Sequence, residues 1–461
     1  MLFPAQARKA CARAATKTGS MDEVTMVLLP ALAMGLGWGI RGQFGHETGA
    51  MVPGALVGLA LAAVSHREPA LHAALRLGAV GALACSLGGL MTYGQTIGLV
   101  QGRTRRRTRW WGLLGLAVKG SVWIGLTGAF IGMAAGGRGY SLGEVGGLCV
   151  ALAGVAWIGV RLLNRPHDPP DALPAIYFSS RDDARPRPEF WGGLWLALAA
   201  LLVYLMVRGD RAAVGLALWG LLGGGLGFAL GECLQAWGMH RAPFGARVQR
   251  WMDWWKVMEV SFGLLGGAGL GLGWLLFGPD PSLRPYLDPT VHPAVEMLLL
   301  AAWITWLVVA ERGPGLANSV WEASFVAVLV PMALAFGGSV TSLVILGPVL
   351  LLVSGDNVVR QWAIEAKLVR PWVAWTVLGV AVLATANLAR HWAEASTGGW
   401  LLLTAWGQTA LTVIWALGSR EVFASGGLLP RVSAARAQVT VQAVFILMAL
   451  LLTVLLAWSG R

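Results

Sequence analysis

The chain has 461 residues, of which 56% are hydrophobic and only 13% are charged, and its mean hydropathy is +0.64. Since an average soluble domain carries about 25% charged residues, this composition excludes an ordinary water-soluble protein and predicts a chain whose solvent is the lipid bilayer. The formal net charge of +12 by itself would allow a nucleic-acid partner, but the positions of the basic residues argue against one.

Apolar runs long enough to cross a hydrocarbon core of about 30 Å recur along the chain. Because backbone groups in lipid must be hydrogen-bonded within their own segment, these runs predict helices and an all-α, polytopic membrane protein of about 14 spans (about 12 to 14). The predicted spans are Val24–Ile40, Thr48–Val64, Leu77–Leu99, Trp111–Ala135, Gly143–Leu163, Phe190–Val207, Ala212–Gln235, Val257–Phe277, Pro293–Ala310, Asn318–Phe336, Thr341–Val353, Trp372–Ala389, Gly399–Leu417 and Val439–Trp458.

The order of these spans divides the chain into four parts. Residues 1–23 form an N-terminal tail, residues 24–163 a five-helix group, residues 164–189 a Pro-rich polar loop, and residues 190–461 a group of about nine helices. The first 20 residues are basic and contain no acidic residue, which conflicts with the outside location predicted below. Translation from Met21 would remove this conflict, so we expect Met21 to be the start.

The basic residues predict the orientation of the chain in the membrane. Of the 35 Lys and Arg residues, 22 lie in the loops that follow odd-numbered spans, whereas 8 lie in the even loops and the C-terminal end. The positive-inside rule therefore places the odd loops, including Arg103–Arg109, in the cytoplasm. We expect a multi-pass protein of the cytoplasmic (inner) membrane with both termini outside. The positive charge is thus a topology signal, and no nucleic-acid partner is predicted.

A weak internal repeat recurs at a constant offset of 137 residues. The dipeptide Gly94-Gln95 becomes Gly231-Glu232, and Lys119 becomes Lys256. Three glycine pairs share the offset: Gly88 with Gly225, Gly132 with Gly269, and Gly136 with Gly273. An offset that includes four spans keeps both copies in one orientation, so the pattern predicts a parallel duplication.

Polar residues collect near the cytoplasmic ends of the odd spans and the starts of the following ones. In residues 35–50, Gly42, Gly45 and Gly49 permit a very tight polar turn between two helices, or a re-entrant break. Ionisable residues at membrane depth are costly and commonly functional. The candidates for a substrate or ion pathway are Arg41, Gln43, His46, Glu47, Gln95, Lys119, Glu232, Lys256, Glu259, Asn318, Glu322 and Arg360.

Structural roles compete with the functional one at each candidate. Arg41 and Arg360 have the positions of snorkelling or topology-setting charges, and the glutamines those of interhelical hydrogen-bond donors. Lys256 and Glu259 are three residues apart, so they share a helical face and can neutralise each other. A structural ion pair therefore remains an alternative for the lysines and for Glu259 and Glu322.

The sequence predicts the class of function less specifically than it predicts the architecture. Glycine-rich helices, the repeat and intramembrane charges of both signs favour a transporter or permease for a small polar or charged solute, with a coupling ion as a further partner. A membrane-embedded enzyme acting on a lipid or lipid-linked substrate at the cytoplasmic leaflet is the alternative, with His46 and Glu47 as acid–base candidates. A non-catalytic scaffold is the third reading. Phosphate-loop, zinc-protease, nucleophile-elbow and EF-hand motifs are absent, and no metal or cofactor is predicted.

Overall fold

The computed structural model describes residues 19–42, 44, 47–65, 71–101, 106–135, 138–164, 176–178, 189–240, 247–248, 253–278, 291–312, 328–337, 341–342, 345–346, 397–426 and 431–458. Within these ranges the fold is entirely helical and contains no β-strand. Six of the described helices are long and apolar enough to cross a membrane, namely Glu23–Arg41, Thr108–Ala135, Leu142–Asn164, Arg211–His240, Trp254–Phe277 and Val439–Trp458. The prediction of an all-α architecture of apolar helices is thereby confirmed.

The described helices are numbered here in chain order. They are α1 (Gly19–Arg41), α2 (Glu47–Ala63), α3 (Leu71–Gly88), α4 (Gly94–Gln101), α5 (Arg106–Ala135), α6 (Leu142–Gly159, extended by a π-helical turn Val160–Asn164), α7 (Trp191–Val207), α8 (Arg211–His240), α9 (Trp254–Phe277), α10 (Pro293–Arg312), α11 (Val328–Gly337), α12 (Thr397–Gly426) and α13 (Arg431–Trp458). The tight turn predicted in residues 35–50 lies between α1 and α2, where the Phe44 N–H donates to the Arg41 carbonyl at 2.9 Å.

Most predicted spans coincide with a helix, but one prediction is wrong. The run Leu77–Leu99 is two helices, because α3 ends at Gly88 and α4 begins at Gly94. The predicted span Trp372–Ala389 lies outside the described residues, as do most of Asn318–Phe336 and Thr341–Val353. The full span count and the duplication therefore stay predictions.

Six helices pack in a closed cycle, in the order α1, α2, α3, α5, α8, α9 and back to α1. Each helix is antiparallel to both of its neighbours. For example, α5 meets α8 at Gly120 against Gly224 and at Gly132 against Ala213, so the residue numbers rise along one helix as they fall along the other. The cycle includes helices from both sides of the polar segment 164–189. The division of the chain at that segment stays a prediction.

Glycine allows these helices to approach until their backbones touch. A Cβ atom on Gly120 would lie 2.3 Å from the Gly224 carbonyl oxygen, and one on Gly224 would lie 2.2 Å from the Gly120 carbonyl oxygen. The same reciprocal contact joins α2 to α3 at Gly54 and Gly81. In lipid no hydrophobic force drives helices together, so close packing of small residues is a main source of their association.

Aromatic rings fill the centre of the cycle. Trp38 of α1 and Trp123 of α5 have ring centroids 4.8 Å apart, although these two helices are not neighbours in the cycle. Phe262 of α9 lies 4.4 Å from Trp38 and 4.6 Å from Phe228 of α8. Trp38 and Trp123 are at most 1% exposed. The interior at this level is therefore a packed aromatic core.

The outer face of α8 carries a row of leucines at four-residue spacing. Leu218, Leu222, Leu226 and Leu230 are each 50% exposed, and Leu234 is 45% exposed. An apolar row of this length on the surface of an apolar helix is typical of contact with lipid chains. Inward-facing residues between Leu218 and Leu234 therefore lie at the same depth as this apolar surface.

Replacing Gly224 with alanine is expected to destabilise the protein, because the added Cβ would collide with the backbone of α5. Overpacking of this kind costs about 1–3 kcal/mol. The matched control is Gly154→Ala in α6, where a Cβ meets no atom within 4 Å and where alanine favours the helix by about 1 kcal/mol. Thermal unfolding of detergent-solubilised protein, followed by tryptophan fluorescence, should show a lower Tm for Gly224→Ala only. Equal effects of the two variants would contradict the packing account.

Candidate functional site

The candidate site is built around the break between α3 and α4. After Gly88 the backbone hydrogen bonds join residues three apart instead of four. Gly89 N donates to Ser86 O at 2.9 Å, and Met91 N donates to Gly88 O at 3.1 Å. The α-helical pattern resumes with Ile97 N donating to Tyr93 O at 2.9 Å. A break of this kind removes main-chain carbonyls from the helical ladder, and at membrane depth they need donors from the protein itself.

One face of α5 supplies those donors. Trp123 Nε1 donates to the Cys85 carbonyl at 2.7 Å, and Lys119 Nζ donates to the Thr92 carbonyl at 2.6 Å. The two residues are four apart in sequence and therefore share a helical face. A Cβ on Gly88 would lie 2.0 Å from the Trp123 ring, so the glycine at the end of α3 makes room for the indole.

Lys119 is the centre of a buried ion pair. Its Nζ also donates to Thr96 Oγ1 at 2.8 Å and to Glu189 Oε1 at 2.8 Å, and the two charged side chains are 1% and 0% exposed. The other oxygen of Glu189 accepts from Phe178 N and Trp191 Nε1, both at 3.0 Å. The three ammonium protons and both carboxylate oxygens thus have partners, which favours the structural interpretation of Lys119.

Arg41 at the end of α1 is buried among aromatic rings. Its guanidinium carbon lies 4.8 Å from the Trp38 ring centroid, 5.4 Å from that of Tyr93 and 5.5 Å from that of Trp123. Its Nη2 donates to the Tyr93 hydroxyl at 2.7 Å, and the residue is 1% exposed. Among the residues that the structure describes, no carboxylate pairs with Arg41, and its Nε has no hydrogen-bond partner. A desolvated cation with a free donor is costly unless something binds it.

The predicted pairing of Lys256 with Glu259 occurs. Lys256 Nζ lies 2.6 Å from Glu259 Oε2 and donates to the Gly39 carbonyl at 3.0 Å, and Trp255 Nε1 donates to Glu259 Oε1 at 3.0 Å. A Cβ on Gly42 would lie 2.6 Å from Lys256 Nζ. The pair therefore lies against the backbone on either side of Arg41, where α1 ends.

Asp253 precedes this pair as the N-cap of α9. Its Oδ1 accepts from Trp255 N at 2.9 Å. Burial raises the pKa of Asp253 above its usual range, while the hydrogen bond from Trp255 N and the charge of Lys256 oppose that shift. Asp253 thereby fixes the start of α9 and the register of Trp255, Lys256 and Glu259.

The break brings the two cationic groups together. Thr92 holds Lys119 through its carbonyl, and the next residue, Tyr93, holds Arg41 through its hydroxyl. The Tyr93 ring also stacks at 6.2 Å on Trp255 and meets Phe228 at 5.2 Å. Tyr93 thus lies between α1, α8 and α9. A movement of the break would therefore displace the Tyr93 hydroxyl to which Arg41 donates.

Glu232 lies apart from these pairs, on the inward face of α8. It is 0% exposed, and neither carboxyl oxygen has a hydrogen-bond partner among the described residues. The amide of Gln101 at the end of α4 is close enough to interact with it but outside hydrogen-bonding geometry. Gln235 follows on the same face with an unpartnered Oε1 and 3% exposure.

The structure places only some of the remaining candidates. Gln95 lies in the first turn of α4, where its Oε1 accepts from the Tyr177 hydroxyl at 3.5 Å. Glu47 is the first residue of α2, but its side chain is outside the described part of the chain. Gln43, His46, Asn318, Glu322 and Arg360 also lie outside it. Within the described ranges no group of three or more His, Cys, Asp and Glu residues could hold a metal ion.

The two lysines of the repeat have different settings. Lys119 is well inside α5, whereas Lys256 is the third residue of α9. Lys119 pairs with Glu189, which is distant in sequence, whereas Lys256 pairs with Glu259, one turn further along the same helix. The expected equivalence of their positions is not visible in these contacts.

Sequence reasoning missed Glu189, Tyr93 and Trp123. Glu189 stands at the end of a polar loop and carries no pattern that marks it as a partner of a residue 70 positions away. A signal for the break did exist, since Gly88-Gly89 and Gly94 interrupt an apolar run of 23 residues.

Comparison with known proteins gives no match: no family model, no curated protein and no solved structure is significantly similar to the chain. Only the residues themselves therefore indicate a function.

Removing Lys119 alone should destabilise the protein more than removing both members of its pair. Lys119→Met leaves the Glu189 charge buried without its counter-ion, which costs about 3–5 kcal/mol, whereas Lys119→Met with Glu189→Gln leaves no unpaired charge. Arg208→Gln is the control, because Arg208 pairs with Glu144 at 3.1 Å on the surface, where such pairs contribute about 0–1 kcal/mol. Thermal unfolding in detergent measures all three. A double variant less stable than Lys119→Met would refute the account.

Proposed function

We propose that this chain is a permease-like transporter for a small polar or charged solute, and that the solute presents an anionic group to Arg41. The observation that carries the proposal is the state of Arg41, which is buried at the end of α1 with no carboxylate partner and with a free Nε among the described residues. Its guanidinium matches carboxylate and phosphate oxygens through two parallel hydrogen bonds.

The surroundings of Arg41 support a binding role. Trp38, Tyr93 and Trp123 present rings to the guanidinium and exclude water from it, and an ion contact in such a low-dielectric site is stronger than in water. Lys256 adds a second positive charge near Gly42, partly neutralised by Glu259. These groups would form the polar cavity that we place in the cytoplasmic half of the bundle.

The broken helix supports movement as well as binding. Discontinuous helices whose unwound segments line a site recur in secondary transporters. Here the unwound segment ends in Tyr93, which contacts Arg41 directly. Towards the interior of the bundle, the break is held by the buried Lys119–Glu189 pair. Towards the surface, the short helix α4 exposes Gly94 and Gly98, and a Cβ on either would meet no atom within 4 Å.

The alternative function, an enzyme acting on a lipid or lipid-linked substrate at the cytoplasmic leaflet, needs an available general acid or base. The side chains of its acid–base candidates, His46 and Glu47, lie outside the described residues, and Glu259 is held by Lys256 and Trp255. Such a carboxylate is suited to holding a cation in place more than to exchanging protons with a substrate. The transport proposal depends instead on Arg41, which is a binding group for anions and not an acid or base at ordinary pH.

We further propose the topology expected from the charges: a cytoplasmic-membrane protein with about 14 spans, a parallel duplication, both termini outside and the Arg41 end of the helix cycle in the cytoplasm. The antiparallel order of the cycle supports this, since it brings the end of α1 and the starts of α5 and α9 to the same side. The basic segments Arg103–Arg109 and Arg241–Lys256 adjoin those helix ends.

Single-cysteine variants in intact cells test the orientation. In a chain whose native cysteines are replaced by serine, Arg105→Cys should resist a membrane-impermeant maleimide until the membrane is permeabilised. Gly139→Cys is unsuitable because its φ of 64° disfavours a side chain, so Arg138→Cys serves as the outside control. Labelling of residue 105 in intact cells would refute the proposed orientation.

Transport is tested in proteoliposomes on a solid-supported membrane. The probes are inorganic phosphate, sulfate, short mono- and dicarboxylates, neutral and cationic amino acids and an uncharged sugar. We expect currents or uptake with an anion-bearing class, and a decrease of at least about tenfold in Arg41→Lys, because losing one charge-assisted bidentate contact costs about 1.5–3 kcal/mol.

The control for this experiment is Arg161→Lys. Arg161 also lies over a tryptophan, 5.3 Å from the Trp157 ring, but on the exposed surface of the helix. Its replacement should leave transport unchanged. Transport restricted to the uncharged sugar, or equal activity of the two variants, would refute the anion proposal.

A further inference from the structure

Glu232 is a buried ionisable side chain that destabilises the fold unless something binds to it. It lies between Leu230 and Leu234 in sequence, and those two leucines belong to the exposed row on the opposite face of α8. The carboxyl group is therefore at the depth of the apolar surface. An ionised carboxylate on a spanning helix is costly within the hydrocarbon region, and no described cation offsets that cost.

The unpartnered atoms around Glu232 are complementary to a protonated carboxyl. Gln101 has an unpartnered donor at Nε2, and Gln235 has an unpartnered acceptor at Oε1. A carboxylate can only accept hydrogen bonds, whereas a carboxylic acid donates one and accepts others. A neutral Glu232 can therefore satisfy a donor on one side and an acceptor on the other. A metal cation would instead require more oxygen ligands than these side chains supply.

Helix α4 links this carboxyl to Arg41. The helix begins directly after Tyr93, whose hydroxyl holds Arg41, and ends at Gln101, whose amide lies near Glu232. It is only eight residues long, about 12 Å at 1.5 Å per residue. A second connection runs through Phe228, one turn before Glu232, whose ring meets Tyr93 at 5.2 Å. A shift of α4 would thus change the surroundings of both charged groups together.

We propose that Glu232 is a proton-binding site that couples solute movement to proton movement, with α4 as the connecting element; this rests on the proposed transport function. In the conformation described here Glu232 carries the proton. When water reaches the carboxyl, the O–H bond breaks, the proton passes to water, and the remaining carboxylate accepts a hydrogen bond from the Gln101 amide. Uptake reverses this step, and each cycle moves one proton per carboxyl.

Infrared difference spectroscopy tests proton binding without any transport. Purified wild-type protein in lipid, titrated from acidic to alkaline pH, should lose the C=O stretch of a buried carboxylic acid, and Glu232→Gln should lack that band at every pH. Glu296→Gln is the matched control, because Glu296 is also 0% exposed but accepts a hydrogen bond from Thr341 N. Should Glu232→Gln fail to fold, Gln101→Leu should still shift the frequency of the band. Unchanged spectra in both variants would overturn the proton site.

Transport assays test the coupling. An imposed pH gradient should drive accumulation by wild-type protein of the anionic probe identified above. Glu232→Gln, fixed in a neutral state, should abolish that accumulation while retaining at least half of the solute exchange at equal concentrations on the two sides. Accumulation driven by sodium and insensitive to pH, or unchanged pH-driven accumulation in Glu232→Gln, would overturn the coupling. If no probe is moved at all, the transport function fails, whereas the infrared result still decides whether Glu232 binds a proton.

Discussion

The structure depends on the buried hydrogen bonds that Lys119 makes at the break between α3 and α4. A chain in lipid cannot interrupt a helix unless its freed carbonyls find donors, because the hydrocarbon offers none. Lys119 provides one to Thr92, and Glu189 compensates the lysine's charge at 2.8 Å. Burying an isolated ammonium would cost several kcal/mol. The pair therefore stabilises the break, and the break in turn places Tyr93 against Arg41.

The remainder of the bundle determines where polar chemistry can occur. Contacts such as Gly120 with Gly224 bring neighbouring helices together until their backbones touch, which leaves room in the centre for a few large side chains. Trp38 and Trp123 occupy that centre. Arg41 lies at the boundary between this aromatic core and the end of the bundle that carries Lys256, and its own charge has no described counter-ion there.

The buried ionisable groups that the structure describes in the candidate site fall into two kinds. The pairs Lys119–Glu189 and Lys256–Glu259 are internally neutral, and their hydrogen bonds fix segments of chain to one another. Arg41 and Glu232 lack an ionic partner among the described residues. The first kind is explained by stability alone, whereas the second reduces stability unless a ligand or a proton binds. The proposed functions involve the second kind, and α4, which begins directly after Tyr93 and ends at Gln101, connects its two members.

The sequence by itself determined the helical class, most helix positions, the turn after Arg41 and the pairing of Lys256 with Glu259, because each follows from local composition or from helical periodicity. Tertiary structure decided the break inside Leu77–Leu99, which the glycines permit but do not require, and it alone decided the partner of Lys119. Hydropathy measures only whether a run is apolar, and an apolar run can be interrupted wherever another helix supplies the missing donors. Those donors come from residues distant in sequence, and no local pattern records which of them the fold brings into contact.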